Sequence, residues 1–172
     1  MSEKQRGVIS DTFDLIAKDY YIELHHGDCV GVDAEADHLI RECQKKYKII
    51  IHPPVEDSHR ARCKTSPFAT LESYEKHASE FAGKWGQAVV AVEPKTYLAR
   101  NRDIVNATHI VIAAPQTATE LQHSGTWYTI RYANKQRVPL LLVNPDGSTS
   151  LQHITHTLSA LLGVRTKHPL FD

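Results

Sequence analysis

Ser124-Gly-Thr-Trp-Tyr-Thr-Ile-Arg-Tyr-Ala-Asn-Lys-Gln136, followed by Pro139-Leu-Leu-Leu-Val143 and preceded by His109-Ile-Val-Ile-Ala-Ala-Pro115, decides the fold class. The two apolar runs read as buried strands, and the segment between them has helical spacing behind a Ser-Gly-Thr start. Strand, polar loop, helix and strand make one βαβ unit. A helix that opens just beyond a buried strand turns free N–H groups and a positive dipole end toward the crevice at the sheet's carboxyl edge. Phosphates and other anions bind there in open α/β sheets.

The same alternation runs back through the chain. Residues 2–18 have helical spacing, with Val8, Ile9, Phe13, Ile16 and Ala17 on one side and Ser2 with Gln5 as a capping pair. A strand is predicted over 20–25, leading into the loop His26-Gly-Asp-Cys-Val-Gly-Val-Asp33, with Asp33 as N-cap of a helix over 34–46 that buries Ala36, Leu39, Ile40 and Cys43. A short strand over 47–52 stops at Pro53-Pro54. Beyond it the pattern loosens: a basic loop over 58–64, a helix over 68–81 ended by Gly83, and a strand over 88–92. A helix over 95–107 is predicted to bury Leu98, Ile104 and Val105, and a strand over 108–113 follows. Asn144-Pro-Asp-Gly147 has the residues of a turn, and a last helix is predicted over 151–162, with Gly163 at its stop. Repeated strand–helix alternation with apolar strands predicts an α/β fold: a parallel sheet with helices on both faces, in a single domain over 1–172.

Composition narrows the partners. Lys plus Arg equals Asp plus Glu, 20 against 20, so the formal charge is zero. Nucleic-acid binders usually carry a basic stripe or excess, so a nucleic-acid partner is not expected and a small ligand in a local pocket is. The three cysteines, Cys29, Cys43 and Cys63, form no Cys-x-x-Cys pair. Neither a disulfide framework nor a structural zinc site is suggested, and the expected compartment is the reducing cytoplasm. The first residues show no apolar signal core, and no run approaches a membrane span.

Five motifs occur in order: His26-Gly-Asp-Cys-x-Gly-x-Asp-Ala34, Ile51-His-Pro-Pro54, Tyr97-Leu-x-Arg-Asn-Arg-x-Ile-Val105, Ala113-Ala-Pro115 and Ser124-Gly-Thr-Trp-x-Thr-x-Arg-Tyr-Ala133. Together they resemble the SLOG superfamily of Rossmann-like nucleotide-binding proteins, which includes the Lonely Guy phosphoribohydrolases, the DNA-processing protein A recombination mediators and the molybdenum-cofactor carrier proteins. The resemblance covers roughly residues 20–147 and excepts 55–92. It implies a Rossmann-like parallel sheet and a nucleotide or nucleotide-derived phosphate ligand, with no further cofactor. Two departures stand out. Members usually begin with a strand and a Gly-containing loop, whereas this chain starts on a helix. The phosphoribohydrolases carry Pro-Gly-Gly-x-Gly-Thr-x-x-Glu, where this chain has Gln122-His-Ser124 ahead of Gly125-Thr126 and Thr129 in place of the Glu.

The candidate ligand residues follow. Gly125 and Thr126, with Trp127 and the Ser124 hydroxyl, form the helix start that would take a phosphate. Arg100 would clamp it bidentately and Asn101 would bridge to a loop, whereas Arg102 falls on another face. Gly27 and Gly31 allow a tight turn, and Asp28 or Asp33 would accept from ribose hydroxyls. Cys29 is a weak nucleophile candidate. Glu120 and Asp28 are the weak candidates for a catalytic acid or base, with Glu93 behind them. Trp127 and Tyr128 would stack on a base or pack in the core. Of the histidines, His25-His26-x-Asp28 and His153-x-x-His156 have ligand-like spacing but complete no known site, and adjacent His25 and His26 point to opposite faces of a strand, so no metal is expected. Three functions are open on this reading: nucleotide or phosphate-ligand binding, a nucleotide N-glycosidase releasing a base from a nucleoside monophosphate, and a non-catalytic sensor or interaction protein with a degenerate pocket. A sheet without the family's first strand would leave edges bare beside the strand starting at Tyr20. Either the Val89 region pairs there, or a second subunit covers the face; a homodimer or higher homo-oligomer is the expectation.

Overall fold

The N-terminal helix shows how closely local sequence sets local structure. In the computed structural model, which describes residues 1–42, 47–56, 58–65 and 87–154, α1 spans Glu3–Ala17 and is closed at its start by a capping box. The Ser2 hydroxyl accepts the Gln5 N–H at 3.1 Å, and the Gln5 side-chain oxygen accepts the Ser2 N–H at 3.0 Å. Ile9 and Phe13 face inward, as their spacing predicts. Gln5 is buried with them, because its amide has a second task. Its Nε2 donates to the carbonyls of Pro115 and Val143, at 2.8 and 2.9 Å.

Two strand systems lie against this helix. In the first, β1 (Ile22–His26), β2 (Tyr47–Ile51) and β3 (Gln87–Ala91) run parallel in the order β1-β2-β3. The connection from β1 to β2 passes through α2 (Val32–Glu42), which buries Ala36, Leu39 and Ile40. In the second system, β4 (Val111–Ala113) pairs parallel with β5 (Leu140–Val143), and β6 (Thr149–Gln152) adds antiparallel to β5. Between β3 and β4 runs α3 (Tyr97–Ala107), and between β4 and β5 runs α4 (Gly125–Gln136). No ladder joins β1 to β4. Where the alternation predicts a single parallel sheet, the described residues form two three-stranded sheets, one all-parallel and one mixed. The Val89 region pairs with β2 on the side away from β1, so it does not move in beside β1.

The antiparallel strand corrects a second expectation. The sequence predicts a helix over 151–162, but its first residues, Leu151 and Gln152, lie in β6, as the turn before them dictates. Gly147 takes a left-handed backbone (φ 84°), its N–H reaches the Asn144 carbonyl at 2.9 Å, and the Asn144 N–H reaches the Ser148 carbonyl at 2.8 Å. Pro145 at the second turn position and Gly147 at the fourth suit this five-residue reversal. Once the chain has reversed so tightly, Thr149–Gln152 lies beside β5 and completes its ladder. The rest of that predicted helix, and the predicted helix over 68–81, lie outside the described residues.

Alternation of side chains divides the core in two. Ile49 and Ile51, with Leu141, Val143 and Ala114, pack against Ile9 and Phe13 of α1 and Leu39 and Ile40 of α2. The alternate residues of the second sheet, Val111, Ala113, Leu140 and Leu142, pack against Val105 of α3 and Trp127, Ile130 and Ala133 of α4. The second sheet is thus covered on both faces, and one cluster under α1 spans both sheets. Among the described residues no helix is long and apolar enough to cross a membrane. Leu98 departs from expectation: it is 48 % exposed, and Arg100, at 4 %, takes the buried side of α3.

Candidate functional site

The loop after β1 is built around one carboxylate. α2 begins at Val32, so Asp33 is not the N-cap predicted for it but lies in the first helical turn. Its Oδ2 turns back to accept the N–H groups of Gly27 and Cys29, at 3.0 and 3.1 Å. Gly31 supplies the positive φ (98°) that lets the loop enter the helix. Gly27 is required for a different reason. The Arg100 guanidinium lies against it and donates to its carbonyl, and a Cβ at position 27 would overlap that guanidinium.

Arg100 ties this loop to α3. Its guanidinium also meets the Cys29 sulfur, at 3.5 and 3.4 Å from its two terminal nitrogens, and lies 5.3 Å from the Tyr97 ring centroid. Among the described residues no carboxylate lies within ion-pair distance of it, and its buried Nε has no partner. The next residue faces the other way: Asn101 Nδ2 donates to the Gly125 carbonyl at 3.4 Å, at the start of α4. Two adjacent residues of α3 therefore connect the Gly27–Asp33 loop with the Ser124–Gly125 helix start. Ser124 caps that helix by accepting the Trp127 N–H at 3.4 Å. A Cβ on Gly125 would meet nothing within 4 Å, so the backbone there borders open space. Thr126 is half-buried beside it.

Other candidates are engaged elsewhere. Asp28 is 1 % exposed and has a left-handed backbone (φ 56°). One of its oxygens takes the Arg60 Nε–H at 2.7 Å and the other the Cys63 N–H at 2.8 Å, which fastens the 60–63 segment to the loop. Glu120 pairs with Arg131 at 2.8 Å on the exposed side of α4, and Glu93 is exposed. Burial pushes the Cys29 thiol up, Asp33 and Asp28 add to this, and Arg100 opposes without reversing it. Trp127 is core, with no partner for its Nε1 among the described residues. Tyr128 stacks on Tyr132, with centroids 6.4 Å apart, and accepts the Arg102 Nε–H at 2.6 Å. The Thr129 hydroxyl bonds the Gly125 carbonyl at 3.0 Å, inside its own helix.

His25 and His26 do point to opposite faces, and each has a partner that sequence spacing did not suggest. His26 Nε2 meets Asp37 at 3.3 Å, and Cys63 stands close enough that the three ligand atoms lie within 4.8 Å of one another. The protonation pattern does not fit a metal. His26 Nδ1 accepts the Asp28 N–H at 3.1 Å, so the neutral ring carries its proton on Nε2, the nitrogen a metal would need. Burial, then Asp37 and Asp28, push the Cys63 thiol up to about 12, and Asp37 is held bidentately by Arg41 at 2.6 and 3.0 Å. On the other face, His25 Nδ1 meets His52 Nε2 at 2.9 Å and His25 Nε2 meets Glu23 at 2.9 Å. The signal available in the sequence was parity: His52 follows Lys48 and Ile50 on the face of β2 that the register places beside Glu23 and His25. His153 is exposed, with a positive φ of 54°; His156 lies outside the described residues. No protein-family model, curated protein or solved structure matches the chain.

Proposed function

We propose that this protein is a Rossmann-like, SLOG-type binder of a nucleotide or nucleotide-derived phosphate ligand, held between the Gly27–Asp33 loop and the start of α4. The observation that carries the reading is Arg100: 4 % exposed, without a carboxylate partner among the described residues, and with an unpaired Nε. A buried guanidinium without a direct ion pair and with an unpaired N–H is costly, and an anion is the ligand that relieves it, by a charge-assisted and directional contact. Asn101 lies beside Arg100 and reaches Gly125. There the free N–H groups of a capped helix add a second anion-favouring element. Gly125 leaves the backbone open at the start of α4, while Gly27 lets the Arg100 guanidinium lie directly against the opposite loop.

The test compares adenosine 5′-monophosphate with adenosine in thermal unfolding. The nucleotide is expected to stabilise by about 2.7 kcal/mol at a hundredfold excess over its dissociation constant, and the nucleoside is not. Equal shifts with both would remove the anion from the reading. Arg100→Ala should weaken the nucleotide by about 1.5–3 kcal/mol, the worth of a hydrogen bond to a charged group. The same incubations, assayed for released base, decide whether binding is accompanied by N-glycosidase activity.

A further inference from the structure

His25 and His52 enter none of the contacts described for Arg100 and Asn101, yet they stand at the carboxyl ends of β1 and β2, beside the same loop. His52 is 6 % exposed, and its backbone N–H donates to the His26 carbonyl at 2.8 Å, at the residue where the Gly27 loop begins. Across from its ring stands α3, whose Asp103 and Arg100 lie close enough for their charges to act on it. The other groups that face it are His25, with centroids 5.2 Å apart, and His26.

The hydrogen bonds fix where the protons sit. Glu23 accepts from Lys48 at 3.0 Å through one oxygen and meets His25 Nε2 at 2.9 Å through the other. Burial raises the Glu23 carboxyl, but His25 and Lys48 outweigh it and hold the group below its ordinary value. Glu23 is thus a carboxylate and can only accept. The His25 proton therefore lies on Nε2, and the Nδ1 of a neutral His25 accepts from His52 Nε2–H. That leaves a lone pair on His52 Nδ1. This atom has no partner among the described residues. Nor is it one of the fully enclosed unpaired atoms among the described residues, which are Arg100 Nε, Trp127 Nε1 and Asn134 Oδ1. The buried His52 ring thus carries one unpaired acceptor nitrogen that is not fully enclosed.

We propose that Glu23, His25 and His52 form a proton relay whose inner end, His52 Nδ1, is the proton-accepting atom of the crevice at the carboxyl ends of β1 and β2. For the ligand it serves, a phosphate compound bearing a hydroxyl or the water bound beside it, the proposal rests on the reading above. In the step, the O–H bond of that hydroxyl or water breaks, its electron pair stays on oxygen, and the proton bonds to His52 Nδ1. The Nε2–H proton of His52 passes to His25 Nδ1, and the resulting His25 imidazolium is held against the Glu23 carboxylate. The reverse path returns the proton to the product oxygen. Burial first, then the charge of His25, lowers His52 to about 4. It is therefore a poor resting place for the proton, which moves on to the histidine that has a carboxylate partner. Glu23 and His25 are positioning residues in this scheme.

Long-range proton–nitrogen NMR of the full chain reads the tautomers directly. His52 is expected to be neutral with its proton on Nε2 at pH 7 and still predominantly neutral at pH 5. Glu23→Ala should shift part of the His52 population to the Nδ1–H form. A proton on Nδ1 in the unaltered protein, or no change in E23A, overturns the relay. Diethyl pyrocarbonate with peptide mapping reads access. His52 should be modified at pH 7, and adenosine 5′-monophosphate should protect it at concentrations that raise the melting temperature. An unmodified His52 alongside a modified His38, which is surface-exposed, overturns the open acceptor nitrogen. A raised melting temperature without protection overturns the crevice role and leaves the phosphate reading standing. An unchanged melting temperature counts against the phosphate reading, and the tautomers then judge the relay alone.

Discussion

At the scale of single residues, the loop after β1 is determined by close approach. Gly27 has Arg100 where a side chain would start, so Gly27→Ala must push the guanidinium off the loop carbonyl. The expected cost is about 1–3 kcal/mol of stability, as for an overpacked site, together with weakened nucleotide binding. Urea unfolding and titration with adenosine 5′-monophosphate measure the two effects; a variant unchanged in both would mean that the guanidinium yields freely. His52 gives a prediction in pH. Its folded value, about 4, lies below its ordinary 6.5, so the unfolded chain binds the extra proton between those values. The stability linked to His52 is therefore fully present above pH 6.5 and is lost as pH falls toward 4, on the order of 3 kcal/mol in all. Asp37 follows with the opposite chemistry and the same direction of loss. Burial raises it, but His26 and Arg41 hold it below its ordinary 3.8, so its contribution disappears only at still lower pH. Unfolding free energies at pH 7 and 5 should converge in His52→Gln. Parallel losses in the variant and the unaltered protein would exclude His52 as the titrating group.

At the scale of elements, the legible parts are those whose pattern is local. The capping pair Ser2–Gln5 and the turn residues Asn144–Gly147 form as their sequences indicate, because each is satisfied within a few residues. Leu98 misleads because helical periodicity assumes an apolar neighbour. The inner side of α3 instead meets the Gly27 loop, whose carbonyl and sulfur suit Arg100. The strand over 149–152 was hidden because its one apolar residue, Leu151, fits the start of a helix equally well, and only the reversal at Gly147 decides between them. The His25–His52 contact is non-local and depends on a strand register that spacing alone does not give. The turn also carries a testable load. Gly147 has φ 84° and a built Cβ would stand 3.0 Å from Lys4 Cβ, while the Ser2 hydroxyl donates to the Pro145 carbonyl at 2.8 Å. Gly147→Ala should therefore cost about 1–2 kcal/mol through the left-handed backbone alone, plus any loss from displacing α1. Thermal unfolding checks it; a neutral substitution would show that the turn adopts another form without penalty.

At the scale of the molecule, the two sheets share a core but not a hydrogen-bond ladder. Gln5 joins the carboxyl ends of β4 and β5 to α1, and the apolar cluster under α1 takes side chains from both sheets. β1 and β4 each pair with one strand only among the described residues. Edges of this kind are templates for another chain. A new inter-chain bond at an edge open to solvent replaces a bond to water, so each nets only about 0.5–1.5 kcal/mol. A few such bonds fall short of the roughly 8 kcal/mol that a micromolar dimer requires, and buried apolar surface must supply the remainder. Tyr20, which leads into β1, is 54 % exposed, and Val30, in the loop after it, is 62 % exposed, so apolar surface is present at both ends of the edge strand. We therefore expect a symmetric homodimer with an interface that includes β1, in which the same patch serves both copies. Sedimentation velocity across a dilution series from high to low micromolar concentration should show a dimer that dissociates on dilution. Substituting both Tyr20 and Val30 by Lys should shift the protein to monomer without changing its melting temperature in the dilute limit. A single monomeric species at every concentration would show that β1 needs no second chain beside it and that the core under α1 suffices to hold the two sheets together.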